Sequence, residues 1–388
     1  MPTVGRRSGF LLAAYAFFVA MLGTTLPTPL YPLFQQRYGF GELMVTVIFA
    51  IYAFGVVGGL VAFGNVSDRI GRKPVLFAGL ALSAVSALLF LVARSLAPIY
   101  VARVVSGLSA GLFTGTATAY VVDLASAERR RLASLVAVFV NLGGLGTGTL
   151  VSGLLARYAS SPLRLPFAVD LGLVALATLG LALAPETVER TGFELRLQRL
   201  GVPREVRDVF VRASVAGFAS FAVAGVFSSV APGFLGRVLD HKSPALAGLL
   251  VFLFFTLSIA GQLLVRRFSD RLALAVGCGL LAAGSGLLAL SLGLDSLAAL
   301  FASACVAGLG QGAVVGAALA AINQRAPVER RGETASSFFV VVYVGLAIPV
   351  IAAGLAIQAS SLETAGLAFS GAVAALVLAV LARQIRGS

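Results

Sequence analysis

Two ionisable residues lie inside long apolar runs, where a charged side chain is expensive. Arg103 falls in the run 97–121 and Asp170 in the run 166–184. If such a run crosses a bilayer, a charge near the midplane costs at least about 3 kcal/mol, so one that is present usually has a partner or a task. Asp170 is therefore a candidate to carry a proton, and Arg103 is a candidate for a functional role. Each also lies only about a turn inside its run, so extension of the side chain to the membrane interface remains an alternative.

A second group of residues that could form specific ion pairs makes up the polar turn from Gly64 to Lys73, Gly-Asn-Val-Ser-Asp-Arg-Ile-Gly-Arg-Lys. Gly71 permits a tight reversal of the chain, and Asp68 can face a helix N-terminus, where the helix dipole favours an anion. A loop that only orients a membrane protein needs basic residues, but it needs neither the aspartate nor the glycines. We therefore expect this turn to have a structural role as well.

Metal, redox and nucleophilic chemistry lacks the residues it needs. The sole histidine, His241, lies in a short polar segment, and Cys278 and Cys305 lie singly in apolar runs. A histidine-based metal site or catalytic triad has no parts to draw on, so we expect no enzymatic activity, no metal and no cofactor. The net charge of +13 is spread between apolar runs, whereas a nucleic-acid surface concentrates basic residues on one face. We therefore exclude nucleic acid as a partner.

Membrane-spanning helices must position these residues. Of the 388 residues, 59% are hydrophobic and 12% are charged, about half of the roughly 25% that soluble domains carry, and the mean hydropathy is +0.99. A helix needs about 20 apolar residues to cross the hydrocarbon core. The sequence predicts an all-α integral membrane protein with twelve transmembrane helices, span one to span twelve, over 9–31, 42–64, 74–94, 97–121, 134–156, 166–184, 209–230, 245–265, 273–293, 296–321, 334–357 and 362–382.

The distribution of basic residues between alternate loops predicts the orientation of this bundle. Of the 29 lysines and arginines, 22 lie in one set of alternating segments, which we assign, with both termini, to the cytosol of a bacterial-type inner (plasma) membrane. The set comprises Arg6, Arg7, Arg69, Arg72, Lys73, Arg129, Arg130, Arg131, the six arginines from Arg190 to Arg212, Arg266, Arg267, Arg271, Arg325, Arg330, Arg331, Arg383 and Arg386.

The sequence repeats itself between its two halves, as transporter folds commonly do. Val105-Ser-Gly-Leu-Ser-Ala-Gly111 matches Val306-Ala-Gly-Leu-Gly-Gln-Gly312 at an offset of 201. At an offset of 202, Asp68 and Arg69 superpose on Asp270 and Arg271. We therefore predict two pseudo-symmetric six-helix bundles, residues 1–184 and 209–388, joined by a cytosolic linker, 185–208. Glycines spaced four apart in spans four and ten, at 107, 111 and 115 and at 308, 312 and 316, predict close helix packing in lipid.

The polar turn resembles the signature loop of the major facilitator superfamily, Gly-x-x-x-Asp-Arg-x-Gly-Arg-Lys, at every defining position. The resemblance implies the major facilitator fold, with Asp68 docked against a helix of the opposite half to hold the cytosolic side shut and Arg69 paired with Asp123. The mirrored loop has Ala273 and Leu274 where glycine and arginine are expected, so we expect a weaker gate there. The predicted cytosolic gate comprises Gly64, Asp68, Arg69, Gly71, Arg72, Lys73, Asp123, Asp270 and Arg271.

Three further segments resemble motifs of the twelve-helix drug:proton antiporters within that superfamily. Span one carries Leu22-Gly-Thr-Thr-Leu-x-x-Pro-Leu-x-Pro32, and span four carries Arg103-x-x-Ser-Gly107, similar to an Arg-x-x-Gln-Gly motif whose arginine is linked to proton coupling. Span five keeps three glycines of a Gly-x-x-x-Gly-Pro-x-x-Gly-Gly motif but has Thr149 in place of the proline and Ser152 in place of a glycine. The proton-coupling candidates are thus Arg103 and Asp170.

The family geometry implies a substrate cavity near the midplane between the halves. The candidates that line it are Phe18, Tyr52, Phe139, Asn141, Gln262, Gln311, Phe339 and Tyr343. Amide side chains also bond across helices for purely structural reasons, and that alternative stays open for each. Span one contains no acidic residue to neutralise a strongly cationic substrate.

The sequence predicts a monomeric secondary transporter of a small molecule, driven by protons or another ion. Proton-coupled efflux of amphipathic or drug-like compounds is the leading hypothesis. The alternatives are proton-coupled transport of a polar metabolite, such as a sugar or amino acid, and a non-transporting membrane sensor or scaffold on the same fold.

Overall fold

The computed structural model describes residues 4–189 and 198–386, and all the regular secondary structure in these ranges is helical. Residues 190–197 of the predicted linker, including Arg190 and Arg196, lie outside them. Twelve of the helices are long and apolar enough to cross a membrane. The chain is therefore a multi-pass membrane protein, as its composition predicted.

The twelve long helices carry the span numbers introduced above. In the first half they are Arg6–Thr25, Glu42–Phe63, Arg72–Val92, Leu96–Leu124, Arg130–Tyr158 and Leu165–Leu183. In the second half they are Arg207–Ser229, Pro244–Leu264, Asp270–Gly293, Leu297–Arg325, Arg331–Ala359 and Leu362–Arg386. Three short helices, Tyr31–Tyr38, Ser67–Ile70 and Ala231–Arg237, follow spans one, two and seven. Short 3-10 turns occupy Thr28–Leu30, Ala127–Arg129, Arg204–Val206, Val265–Arg267 and Val328–Arg330.

Span one is broken, although the sequence predicted one continuous run over 9–31. Its helix ends at Thr25, and the chain continues through the turn Thr28–Leu30 into the helix Tyr31–Tyr38. Prolines at positions 27, 29 and 32 have no N–H, so the carbonyls of Gly23, Thr25 and Thr28 lose the helical donor four residues ahead. These carbonyls need partners elsewhere, because lipid offers none.

The helices pack in two sets that mirror each other. In the first half spans one and four, one and five, one and six, two and four, three and four, and three and six are in contact. The corresponding pairs in the second half, from seven and ten to nine and twelve, are also in contact. Spans five and eight and spans two and eleven join the halves, and these two pairs are themselves equivalent under the repeat. The fold is thus two pseudo-symmetric six-helix bundles.

Glycine brings the backbones of spans two and four together. A Cβ atom added at Gly59 would lie 2.9 Å from the carbonyl oxygen of Leu108 and 3.1 Å from the Cα of Gly111, and one added at Gly107 would collide with the carbonyl of Tyr52. In the second half Gly308 and Gly312 meet the backbone of span eight in the same way. The predicted close packing therefore holds for the first two glycines of each stripe. At Gly115 a Cβ would meet nothing within 4 Å.

Gly107→Val should destabilise the protein by about 1–3 kcal/mol, because overpacking forces the two helices apart. Gly115→Val, in the same helix but facing open space, is the matched control and should leave stability unchanged. Retention of monodisperse protein after heating in detergent measures both effects. Equal midpoints for the two variants would contradict the packing described here.

Candidate gate and transport site

The polar turn after span two folds as a short helix followed by a left-handed reversal. Ser67–Ile70 forms one helical turn, and Gly71 then takes a φ of 101° before span three begins at Arg72. A side chain at position 71 would be strained at this φ, and its Cβ would lie 2.6 Å from a carboxylate oxygen of Glu186. Gly71 is therefore required both by the backbone and by its neighbour.

Arg72 joins Asp68 and Asp123, two of the three acids of the predicted gate. Its guanidinium contacts the carboxylate of Asp68, and its Nε lies 3.2 Å from Oδ2 of Asp123 at the end of span four. The same guanidinium donates a hydrogen bond of 2.8 Å to Ser67 Oγ. The resemblance implied pairing of Asp123 with Arg69, and that role stays a prediction beside the contact with Arg72. The contact of Asp68 with Arg72 lies within the first half, so docking of Asp68 against the opposite half also stays a prediction.

The carboxylate at the N-terminus of span three belongs to Glu186, which was not among the predicted gate residues. It accepts hydrogen bonds of 3.0 Å from the backbone N–H groups of Arg72 and Lys73, where the helix dipole favours an anion. In return, Nζ of Lys73 donates to the carbonyl oxygens of Ala182 (3.1 Å) and Ala184 (2.6 Å) at the end of span six. Spans three and six are thus tied by two reciprocal helix-end contacts. The feature of the sequence that could have identified Glu186 is its position directly after span six.

The mirrored loop uses different chemistry. Asp270 corresponds to Asp68, and Gln324 stands 201 residues after Asp123. Here Nε2 of Gln324 donates directly to Oδ1 of Asp270 over 3.4 Å. Leu274 stands where the first half has the bridging Arg72, and Gln324 stands where it has Asp123. Because the glutamine is neutral, Asp270 faces no second carboxylate at that position, and no cation is needed between the two side chains. The weaker gate expected at this loop stays a prediction.

Arg103 is buried among the helices of the first half. Its side chain is 2% exposed, its Nη1 donates to the carbonyl oxygen of Thr24 over 2.8 Å, and its Nε donates to that of Ile48 over 3.4 Å. The guanidinium carbon lies 4.4 Å from the centre of the Tyr52 ring. Thr24 is in the last turn of span one, where the carbonyls lack helical donors and the dipole favours a cation. The broken end of span one therefore holds this charge.

Asp170 is a buried acid near the same end of span one. It is 2% exposed, and its Oδ1 has no hydrogen-bond partner among the described residues. A Cβ added to Gly23 would lie 2.9 Å from Oδ2 of Asp170 and 3.3 Å from Oγ of Ser83, so the carboxyl lies directly against span one. Arg103 and Asp170 thus contact consecutive residues of span one, Thr24 and Gly23. Tertiary packing encloses both side chains, and their depth in the membrane stays a prediction.

The eight cavity candidates fall into smaller groups. A Cβ added at Gly143 would lie 3.7 Å from the ring of Phe18 and 4.0 Å from that of Phe139, and Phe139 is 60% exposed. Tyr343 packs edge-on against Phe221 with 5.5 Å between ring centres and approaches Tyr52 across the contact of spans two and eleven. Of the remaining candidates, Gln311 is buried and its Oε1 has no hydrogen-bond partner among the described residues, Gln262 lies against Gly316, Phe339 packs on Phe338, and Asn141 is half-buried.

Both departures from the span-five motif make hydrogen bonds. Ser152 Oγ donates to the carbonyl oxygen of Leu26 over 2.7 Å, which supplies a donor at the break in span one. Thr149 Oγ1 donates over 3.1 Å to the carbonyl of Gly248 in span eight, across the boundary between the halves. A proline and a glycine, which the motif has at these positions, could make neither bond. The substitutions therefore fit the local packing of this chain.

Comparison with known proteins places these features in a family. The model of the Major Facilitator Superfamily matches residues 13–349 and 213–386. The chain is 27% identical over 175 residues to multidrug resistance protein 2 of Bacillus subtilis (strain 168), with 44% of this chain and 42% of that protein aligned. It is 24% identical over 260 residues to the putative multidrug resistance protein MdtD of Escherichia coli O6:H1, with 65% and 55% aligned. For the quinolone resistance protein NorA of Staphylococcus aureus (strain Mu50) identity is 25% over 185 residues, with 46% of each chain aligned.

The structure resembles that of the peptide transporter POT, solved as a mutant in complex with sulfate. The TM-score is 0.77 at 17% sequence identity, covering 100% of this chain and 96% of that chain, which establishes the shared fold. The chain spans about half the length of the curated relatives it matches. It belongs to the Major Facilitator Superfamily and has the fold of that POT structure.

Glu186→Gln should destabilise the protein by about 1–2 kcal/mol, since it weakens two charge-assisted hydrogen bonds at a helix N-terminus. Glu189→Gln, three residues further on at an exposed position, is the control and should have no measurable effect. Thermal unfolding in detergent, followed by loss of monodisperse protein, compares the two. Equal stability of both variants would show that the Glu186 contacts contribute nothing.

Proposed function

We propose that this transporter exports amphipathic or drug-like compounds in exchange for protons, by alternating access between its two halves. The observation that carries the proton coupling is Asp170, whose Oδ1 is buried without a hydrogen-bond partner among the described residues. Three relatives with names that refer to multidrug or quinolone resistance support the substrate class and the direction of transport.

The end of the bundle that carries Asp68 faces the cytosol in this proposal. The polar turn, the Glu186 contacts and the basic segments of the set of 22 belong to this end. Lysine and arginine near span ends are retained on the cytosolic side during insertion. The protein then lies in a bacterial-type inner membrane with both termini inside, and it works as a monomer.

Asp170 and Arg103 are positioned to couple proton binding to the conformation of span one. Burying a charged carboxylate without a cation is costly, whereas the protonated acid is tolerated. Release of the proton requires the carboxyl to gain water or a donor, so the helix against which it packs must shift. Gly23 is that contact, and its neighbour Thr24 binds Arg103. A movement of span one would therefore reach both groups together.

The candidate substrate positions fit an aromatic or amphipathic compound. Phe18, Phe139 and Tyr343 offer partly exposed rings from both halves, and such surfaces bind apolar compounds with little directional demand. Tyr52 is buried with its ring against Arg103. Gln311 adds a buried amide whose oxygen has no hydrogen-bond partner among the described residues. With no acid in span one, a neutral or amphipathic compound fits better than a strongly cationic one.

Asp68→Asn should slow efflux to a small fraction of the wild-type rate at equal membrane abundance, because it weakens the contact with Arg72 in the predicted gate. Glu329→Gln, an exposed carboxylate of the mirrored cytosolic segment, is the control. Dye efflux from inverted membrane vesicles measures both. A wild-type rate for Asp68→Asn would remove the proposed role of this gate.

Asp170→Asn should abolish substrate-dependent proton flux while the protein still binds substrate, because an amide of nearly the same shape cannot release a proton. A pH-sensitive dye trapped in proteoliposomes reports the flux. Asp295→Asn, an exposed carboxylate in an outer loop, should keep wild-type flux. Normal flux in Asp170→Asn would contradict the coupling role.

A substrate panel separates the proposed function from its alternatives. Dyes and quinolones should elicit proton flux from wild-type proteoliposomes, and sugars and amino acids should not. The reverse pattern would indicate transport of a polar metabolite. Absence of flux with every compound, with no change in cysteine accessibility between the two faces, would indicate a membrane sensor or scaffold.

A further inference from the structure

An ion pair between a buried carboxylate and a half-exposed guanidinium joins the two halves at the end of the bundle opposite the polar turn. Glu42, the first residue of span two, lies 2.9 Å through Oε1 from Nη2 of Arg237, the last residue of the short helix after span seven. Glu42 is 5% exposed, whereas the side chain of Arg237 is 54% exposed. The same Oε1 accepts a hydrogen bond of 3.3 Å from Nε2 of Gln35.

The carboxylate of Glu42 is enclosed by residues from both halves of the protein. A Cβ added at Gly233 would lie 3.0 Å from Oε1 and 3.1 Å from Oε2, so the backbone of the second half lies directly against this group. Gln35, Gly233 and Arg237 also line a cavity of about 170 Å³ between the halves, together with residues such as His241 and Ala247. The three neighbours thus separate Glu42 from that cavity.

Helices of the two halves also pack closely near this ion pair. Gly153 of span five lies against the backbone of Pro244 and Ala245 at the start of span eight, and Gly354 of span eleven lies against the side chain of Thr46. With the hydrogen bond from Thr149, these contacts form a seam at the Glu42 end. For the ligand to reach this side of the membrane, the seam must open.

We propose that Glu42 and Arg237 form the outer latch of this transporter, a contact that holds the seam closed and must break in each transport cycle. The proposal rests on the alternating-access transport proposed above. Opening separates the charges and lets water reach both. The latch therefore depends chiefly on Arg237, because removal of the cation leaves a buried carboxylate uncompensated.

Because Glu42 is buried and Arg237 is half exposed, substitutions of the two residues should open the seam to different extents. Arg237→Gln should open the seam strongly, since Glu42 is then buried without its cation. Glu42→Gln should open it only slightly, because Arg237 remains about half in water and the new amide can still bond to Gln35. The double variant should behave like Glu42→Gln, so a second substitution reverses most of the effect of the first. A residue that only supports local packing would not show this reversal.

Opening can be measured by the labelling rate of a cysteine in the cavity wall. The reference protein carries Ala247→Cys, at a position 3% exposed, with Cys278→Ala and Cys305→Ala. A membrane-impermeant maleimide is added from outside to cells. We expect labelling about tenfold faster in Arg237→Gln, which corresponds to about 1.4 kcal/mol, and about two- to threefold faster in Glu42→Gln and in the double variant.

Lys242 and Asp240 provide the matched control pair. They form an ion pair of 3.4 Å at the same end, but within the second half, and both side chains are exposed. Lys242→Gln and Asp240→Asn should label at the reference rate. Asparagine also suits position 240, where φ is 51°.

Three outcomes would overturn the latch: a reference labelling rate for Arg237→Gln, a double variant that labels as fast as Arg237→Gln, or an equal change in the control pair. If Arg237→Gln is not recovered as monodisperse protein, Glu42→Gln and the double variant still test the proposal, which fails if both match the reference rate. Efflux by the reference protein is measured separately. Absence of efflux would contradict the proposed function, whereas the labelling rates would still test whether Glu42 and Arg237 hold the seam closed.

Discussion

Backbone polar groups inside the bilayer need partners within the protein, and the break in span one illustrates this constraint. Three prolines interrupt the helix near the end of this span, so the carbonyls of its last turn lack helical donors. The guanidinium of Arg103 donates to the carbonyl of Thr24, and the hydroxyl of Ser152 donates to that of Leu26. Arg103 is in turn stabilised, because the end of a helix is where a buried cation is favoured. The break leaves carbonyl groups without helical donors, and one of them accepts a hydrogen bond from Arg103, which in turn stabilises the buried charge of Arg103.

The same constraint accounts for the difference between the two halves. The helix contacts repeat almost completely, since glycine stripes bring equivalent backbones together in each bundle. The loop chemistry does not repeat, because Arg72 joins two acids in the first half, whereas Asp270 meets Gln324 directly in the second. A duplicated fold can vary its polar contacts provided that each remaining charge keeps a compatible partner. Bundle packing and loop chemistry have therefore diverged to different extents.

Charged groups are distributed unevenly between the two ends of the bundle. At the Asp68 end, Glu186 and Lys73 tie together helices of one half, so these contacts can persist while the halves move. At the Glu42 end, the ion pair with Arg237 crosses between halves, so it cannot survive their separation. In the proposed transport cycle, contacts within a half keep each bundle together as a unit, and the ion pair between the halves must break for the outer side to open. Gly71 and Gly233 allow carboxylates to approach the backbone closely in these two places.

Hydropathy, repeats and spacing are local properties of the chain, so the number of spans, the duplication, the signature loop and the two buried ionisable candidates could all be predicted from the order of residues. The identity of each partner could not. Arg72 contacts Asp123, and Glu186 occupies a helix N-terminus of the kind that Asp68 was expected to face. Glu42 and Arg237 gave no signal, because Glu42 stands at the start of an apolar run and Arg237 lies in an ordinary connecting segment. Pairing depends on how distant helices approach one another, and a linear pattern does not contain that geometry.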